Sequence, residues 1–165
     1  MRRNPLRPAP PGLFYALKVD EGGVQLTLVD GARGDVIAYM MALMRPLTGP
    51  PIPFVEESAY EGPPRLVVED AAAEEGYGPL LYELMAYIGK TDMGITGGLR
   101  PSGVRTRAAK AFWRRRDNQP FVGLPRADFA ALFGVDPEVI QTVRPEYVDE
   151  FTQLGGDFFE ARYWE

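Results

Sequence analysis

The sequence contains neither cysteine nor histidine. Without cysteine, the chain has no disulfide framework and no thiolate nucleophile. Without histidine, it lacks the commonest general base, the Ser-His-Asp arrangement and the usual ligands of most zinc and iron sites. We therefore predict no metal site, and any catalysis must use Glu, Asp, Tyr, Lys, Ser or backbone groups.

Long apolar runs and an excess of positive charge are also missing. No apolar run approaches the roughly 20 residues that a membrane span needs. The first residues, "MRRNPLRPAPPG", contain arginines but no apolar stretch after them, which is unlike a secretory signal. The formal net charge of -5 argues against bulk affinity for nucleic acid, although a local basic patch remains compatible with it. We expect a cytoplasmic protein without a membrane span.

The chain is long enough for one domain with a small appendage, and 45% of its 165 residues are hydrophobic. Residues 1–12 are rich in proline and predict an extended N-terminal arm. Residues 13–119 predict the main domain. Residues 120–165 predict an appendage of short helices and a terminal strand, the strand being the alternating "DFFEARYWE". The two helix candidates are Pro125–Gly134 and Asp136–Val143, and the second begins with Asp136 as the cap and Pro137 in the first turn.

β-Forming residues dominate the start of the main domain. The segments Leu13–Asp20, Val24–Asp30 and Asp35–Met44 are joined by short glycine-containing turns, which predicts an antiparallel meander. The third segment can also be interpreted as a helix because Met, Ala and Leu favour helices, but the short turn before it favours a strand. After a connector rich in proline and glycine, Arg65–Asp70 predicts a buried strand.

The stretch "EEGYGPLLYELMAYIGK" follows that strand and predicts a helix from Pro79 to about Ile88. Its apolar residues recur at helical spacing and predict one apolar stripe, made of Leu80, Leu81, Leu84, Met85 and Ile88. Gly78 can cap the helix, Pro79 suits its first position and Gly89 suits its exit. A strand that runs directly into such a helix start brings backbone N–H groups together, which is typical of a phosphate site. The third glycine of a Rossmann fingerprint and the Lys-Ser/Thr of a Walker loop are absent. Gly-Pro is also common punctuation, so the pattern leaves both interpretations open.

A basic segment follows, with a helix predicted over about 105–116. Its spacing predicts that the apolar side chains, Val104, Ala108, Ala111 and Phe112, face inward. The basic side chains predicted to face outward are Arg105, Arg107, Lys110 and Arg114. Its positive face has four interpretations: a solvated surface, a contact for the 3′-phosphate of CoA, a site for an acidic protein, or a contact for nucleic acid. We therefore predict a polyanion contact at this helix. The basic residues between positions 100 and 116 are Arg100, Arg105, Arg107, Lys110, Arg114, Arg115 and Arg116.

Two further segments carry a resemblance to a known family. The run "GYGPLLYELMAYI", followed by "GGLRPSGVRTRAAKAFW", resembles the GNAT N-acetyltransferase superfamily, and most of all its bacteriophage members. The resemblance spans about Leu13 to Arg116 and is most specific around Gly76–Tyr82. It implies an α/β fold in which a GNAT-like mixed central sheet with flanking helices carries a small C-terminal appendage.

The resemblance also implies an acetyl-CoA site. The pyrophosphate would lie on the backbone amides of the turn and helix start, and the pantetheine would run along the splayed edge of the Arg65–Asp70 strand. The cofactor-binding residues that it implies are Val67, Val68, Glu75, Gly76, Tyr77, Gly78, Pro79 and Leu80.

The catalytic residues depart from the family pattern. Ala73 stands where the motif usually has Gln or Arg, and Trp113 with three arginines follows Phe112 where many members have a tyrosine acid. The remaining candidates are Glu69 as the base and Tyr82 as the acid.

Two functions are therefore open. One is an acetyl-CoA-dependent N-acetyltransferase-like protein with an incomplete catalytic set. The other is a non-catalytic structural or interaction protein of a bacteriophage virion, which would assemble in the host cytoplasm. In that case the arms would hold other subunits, with Arg2, Arg3 and Arg7 at one end and Tyr163 and Trp164 at the other. Alternatively, both arms fold back on their own domain.

Overall fold

The computed structural model of the chain describes residues 6–45, 63–101, 113–114 and 120–163. Its strands are β1 (Phe14–Asp20), β2 (Gly23–Asp30), β3 (Asp35–Arg45), β4 (Arg65–Ala73), β5 (Leu99–Pro101) and β6 (Gln141–Thr142). Its helices in these ranges of four residues or more are α1 (Gly78–Asp92), α2 (Arg126–Phe133) and α3 (Val148–Tyr163). These six strands form one sheet in the order β5-β4-β3-β2-β1-β6. The predicted α/β class, with a mixed sheet and flanking helices, is confirmed.

The predicted meander forms the middle of the sheet. Strands β1 to β4 pair in sequence order, and each pair is antiparallel. The preference for a strand over a helix at Asp35–Met44 is confirmed by β3. Strand β5 lies parallel to β4, with α1 as the crossover between them, and β6 lies parallel to β1. The sheet is therefore mixed because both of its edge strands run parallel to their neighbours.

Most of the core lies on one side of the sheet, which we call the first face. Because side chains alternate along a strand, Leu26, Met40 and Leu66 point to this face, where α1 and α2 cover them. The apolar stripe predicted for α1 is buried there. It consists of Leu80, Leu81, Leu84, Met85 and Ile88.

The opposite side of the sheet, which we call the second face, is covered in part by α3. The predicted terminal strand was wrong, because residues 148–163 are helical. Phe151, Gly155 and Phe159 recur at a spacing of four residues and face the sheet, while acidic residues occupy the first turn and Arg162 the last. The four-residue period extends over the whole helix. The alternation that suggested a strand, in "DFFEARY", lies in the last turns of this helix.

Two other predicted boundaries differ from the structure. Helix α1 continues through the buried Gly89 to Asp92, and its C-cap is Met93, whose N–H donates to the carbonyl of Gly89. Gly89 therefore lies inside the last turns of the helix and does not end it. The helix predicted over 136–143 is only a 3-10 turn at Pro137–Val139, after which the chain pairs with β1 as β6.

The predicted appendage packs onto the predicted main domain. Helix α3 contacts β1 to β4, and β6 extends the sheet beside β1. Phe129 and Phe133 of α2 are buried in the main core, with their rings 4.7 Å apart. Residues 120–163 thus share both faces of the sheet with the residues before them. No helix within the described ranges has the length and apolar character needed to cross a membrane.

Candidate functional site at the start of helix α1

The turn between β4 and α1 is short and defined by backbone hydrogen bonds. The N–H of Glu74 donates to the carbonyl of Ile37 at 2.8 Å, and the N–H of Tyr77 donates to the carbonyl of Glu74 at 2.9 Å. Gly76 has a φ of 90°, a left-handed conformation that favours glycine. The chain then enters α1 at Gly78, followed by Pro79 in the first turn. The predicted strand, Gly-x-Gly turn and helix therefore occur in that order.

Gly78 borders open space at the start of α1. A Cβ atom built on Gly78 would have no heavy atom within 4 Å, and its φ lies outside the left-handed region. In the described part of the chain, the N–H groups of Gly78 and Leu80 donate to no backbone carbonyl and no side chain. Such N–H groups at a helix start carry partial positive charge. The turn can therefore accept an anion at Gly78, the more accessible of the two residues.

Two arginines hold the carboxylate of Glu74 beside this turn. Arg33 forms two parallel hydrogen bonds to Glu74, at 2.9 and 2.8 Å, and Arg7 approaches the same carboxylate at 3.4 Å. The hydrogen bonds from Arg33, with further attraction from Arg7, lower the pKa of Glu74 below its usual range. Glu74 is consequently ionised and paired with two cations, of which Arg33 also pairs with Asp35 at 3.3 Å and with Asp30 at 3.8 Å.

The N-terminal arm lies against the same turn. The N–H of Arg7 donates to the carbonyl of Gly76 at 3.1 Å, and its guanidinium stacks 4.2 Å above the ring of Tyr77. Further along, the N–H of Ala9 donates to the carbonyl of Phe133, and Pro10 is buried. The described part of the arm therefore folds back on its own domain. Arg2 and Arg3 lie outside the described residues.

The predicted pantetheine path along β4 is partly taken by β5. Val67 pairs with Leu43 on one side and Arg100 on the other, and Val68 pairs with Ala42 and Pro101 in the same way. A β-bulge follows, in which Glu69 has no partner on β3. Among the described residues, β5 therefore covers the edge of β4 as far as Val68. The part of this edge that can be open to a ligand begins after Val68.

The two predicted site tyrosines on either side of Gly78 are buried. Tyr82 packs edge-on against the rings of Trp113, at 5.9 Å, and Phe121, at 6.1 Å. Tyr77 lies under Arg7, with 3% of its surface exposed. These surroundings are those of core side chains, and the role of Tyr82 as an acid stays a prediction.

The predicted basic helix lies mostly outside the described residues. Trp113 and Arg114 are helical, the first buried and the second exposed, as the predicted orientation of Arg114 requires. Arg100 belongs to strand β5 and not to a helix, and its side chain is partly buried. The predicted polyanion contact stays a prediction.

Sequence reasoning did not assign Arg33 or Glu74 to the site. A local signal exists for the conformation of Arg33, because the Asp30 carboxylate accepts N–H groups from Ala32 and Arg33 and so shapes the turn. The pairing of Arg33 with Glu74 joins residues 41 positions apart, and no local pattern predicts it.

Comparison of the chain with models of known protein families, with curated proteins and with solved structures gave no match. The GNAT resemblance therefore continues to depend on the short motifs around Gly76–Tyr82. The described architecture, a mixed sheet with α1 crossing between parallel β4 and β5, is compatible with it.

Proposed function

We propose that this protein binds acetyl-CoA at the start of α1 and is a GNAT-like protein with an incomplete catalytic set. The observation that carries the proposal is Gly78, which borders open space and whose N–H has no partner in the described part of the chain. The pyrophosphate would accept from this N–H, and the dipole of α1 would favour its negative charge.

The identity of residue 78 supports close approach by a ligand. Neither a positive φ nor a neighbouring atom requires glycine there, and glycine lowers helix stability relative to alanine by up to about 1 kcal/mol. A phosphate that approaches the backbone closely does require the absence of a side chain. Pro79 has no N–H of its own and fixes the first turn, so it shapes the turn without competing for the ligand.

The location within the sheet supports the same function. Helix α1 begins after the carboxyl end of β4 and crosses to the parallel strand β5. In open α/β sheets, ligands bind in the crevice outside the carboxyl ends of strands. The pairing of Glu74 with Arg33 and Arg7 reduces the repulsion that its carboxylate would exert on a phosphate.

We propose weak or no transfer of the acetyl group to generic amines. Tyr82 is surrounded by aromatic rings, and the chain has no histidine to accept a proton from the amine. Glu69 lies in the β-bulge at the end of the β4–β5 pairing, and we propose it as the base of any residual transfer.

A structural role in a bacteriophage particle remains the alternative. That role relied on arms that reach a neighbouring subunit, whereas Arg7, Ala9 and Pro10 contact their own domain. For this reason we rank ligand binding first.

Titration with acetyl-CoA, followed by calorimetry and thermal unfolding, tests the proposal. At 100 times the dissociation constant, the ligand should add about 2.7 kcal/mol to the free energy of unfolding. Gly78→Asp should abolish binding, because it places a side chain and a negative charge at the anion site. The variant should fold, since the space is open and an acidic residue suits the first turn of a helix.

Gly156→Asp is the matched control. Gly156 is also helical and also has no atom within 4 Å of its Cβ position, but it lies in α3. It should bind acetyl-CoA as the unmodified protein does. If millimolar acetyl-CoA gives neither heat nor a melting shift, or if both variants bind equally, the proposed site is wrong. Rapid release of CoA in the presence of a polyamine would instead show an active catalytic set.

A further inference from the structure

One residue of the N-terminal arm contacts most of the turn between β4 and α1. The main-chain N–H of Arg7 donates to the carbonyl of Gly76 at 3.1 Å. Its guanidinium lies 4.2 Å from the centre of the Tyr77 ring, and its Nη1 is 3.4 Å from Oε1 of Glu74. Arg7 therefore acts on both the main chain and the side chains of the turn.

The residues that follow in the arm are anchored by burial and close packing. The N–H of Ala9 donates to the carbonyl of Phe133 at 3.0 Å, and Pro10 is buried. Gly12 lies so close to Gly31 that a Cβ atom at Gly31 would collide with the carbonyl of Gly12. Opening the arm at this end would break packing that is closed to solvent.

The first described residues of the arm, in contrast, lie at the surface. Leu6 is 41% exposed, and the side chain of Arg7 is 43% exposed. Because Arg33 already holds Glu74 through two shorter hydrogen bonds, the contact from Arg7 to this carboxylate is a minor one. The main-chain bond to Gly76 and the stacking on Tyr77 are its principal contacts. Such shallow contacts open locally at a lower free energy than the anchored segment.

The turn that Arg7 covers contains a residue with wide conformational freedom. Gly76 has a φ of 90°, and glycine reaches several other conformations at similar free energy. The bond from Arg7 to the Gly76 carbonyl favours the one in which the N–H of Tyr77 donates to the carbonyl of Glu74 and α1 begins at Gly78. Loss of this bond would leave the turn to sample the others.

We propose that residues 6–8 form a strap, hinged before Ala9, and that Arg7 is a positioning residue which holds the turn in its binding conformation. The inference rests on the proposed binding of acetyl-CoA at Gly78 and adds a means of regulating that site. When the strap is closed, the turn is ordered before the ligand arrives. When the strap is open, the ligand must order the turn itself, which weakens binding. Pro8 limits the entropy that the strap loses on closing.

Amide hydrogen exchange without ligand tests the strap directly, and the reporter is the N–H of Tyr77. Arg7→Ala removes the stacking and keeps the main-chain bond, so exchange at Tyr77 should accelerate about threefold. A chain shortened to begin at Ala9 loses every contact of Arg7, and exchange should accelerate about tenfold or more.

Three controls separate the strap from general effects. Leu6→Ala alters an exposed neighbour in the same arm and should leave exchange at Tyr77 unchanged. A chain that begins at Leu6 accounts for the loss of residues 1–5. The N–H of Tyr147 forms the same type of bond, to the carbonyl of Arg144 at 2.9 Å, in the turn before α3, and its exchange should stay constant in all variants.

Titration with acetyl-CoA then tests whether the strap regulates the site. The chain that begins at Ala9 should bind about tenfold more weakly than the chain that begins at Leu6. Unchanged exchange at Tyr77, or equal acceleration at Tyr77 and Tyr147, would overturn the strap. Faster exchange at Tyr77 with equal affinities would overturn its control of binding. If neither chain binds, the proposed function is wrong and so is the control of affinity, whereas the exchange result still decides whether the strap exists.

Discussion

The two faces of the sheet are packed in different ways. On the first face, Leu26 and Met40 of the sheet and Leu84 and Met85 of α1 are all excluded from solvent. On the second face, the buried residues of α3 are Thr152, Gly155 and Phe159. The first face is thus packed through aliphatic side chains, and the second combines close approach at Gly155 with aromatic contacts.

The second face also contains buried polar groups and an open groove. The hydroxyls of Thr27 and Thr152 are buried at the second face without a partner among the described residues. Two aromatic contacts hold α3 against the sheet at separated points. The ring centroids lie 5.4 Å apart for Phe14 and Phe151 and 6.2 Å apart for Tyr39 and Phe159. Gln25, Tyr39, Met41 and Leu43 line a groove of about 450 Å³ on the part of the second face that α3 does not cover.

The largest expected effect tests the packing of the first face. Leu84→Ala removes a fully buried side chain from α1 and should lower the free energy of unfolding by about 2–5 kcal/mol, because the cavity cannot collapse fully. The same substitution at the exposed Leu154 of α3 should change it by less than about 0.5 kcal/mol. Urea unfolding of both variants measures the contrast, and similar losses would contradict the division between the faces.

An intermediate effect tests the close approach of α3. A Cβ atom at Gly155 would collide with Thr27 and would lie 2.6 Å from the ring of Tyr39, so Gly155→Ala should cost about 1–3 kcal/mol of stability. Gly156→Ala, one residue further on, meets no atom within 4 Å and should stabilise the protein by up to about 1 kcal/mol. Opposite signs in thermal unfolding are the expected outcome. Stabilisation by both substitutions would mean that α3 does not contact the sheet at Gly155.

The smallest effect concerns the polar character of the second face. Burial, with a smaller contribution from the charge of Asp70, raises the pKa of Tyr39 to about 12. The unfolded chain loses this proton first, near its ordinary pKa of 10.0, so the fold loses stability as the pH rises from about 10 to about 12. Tyr39→Phe should remove that part of the loss, and the exposed Tyr147→Phe serves as the control. Identical pH profiles for the unmodified protein and Tyr39→Phe, measured by urea unfolding, would contradict the assignment.

The sequence by itself determined the elements whose signals are local. β-Forming segments joined by short turns predicted β1 to β3, and Gly78 with Pro79 predicted the start of α1, because propensity and backbone geometry act over a few residues. The cap formed by Asp136 before Pro137 was predicted for the same reason, and the Asp136 carboxylate accepts the N–H of Glu138 at 3.0 Å.

Only the tertiary structure decided the remaining features. It placed Arg33 beside Glu74 and joined the predicted appendage to the sheet through α3 and β6. Each of these depends on contacts between residues far apart in the chain, and such contacts override local preference when they bury surface or pair charges. The groove on the second face has the same origin, because its space depends on how far α3 reaches across the sheet.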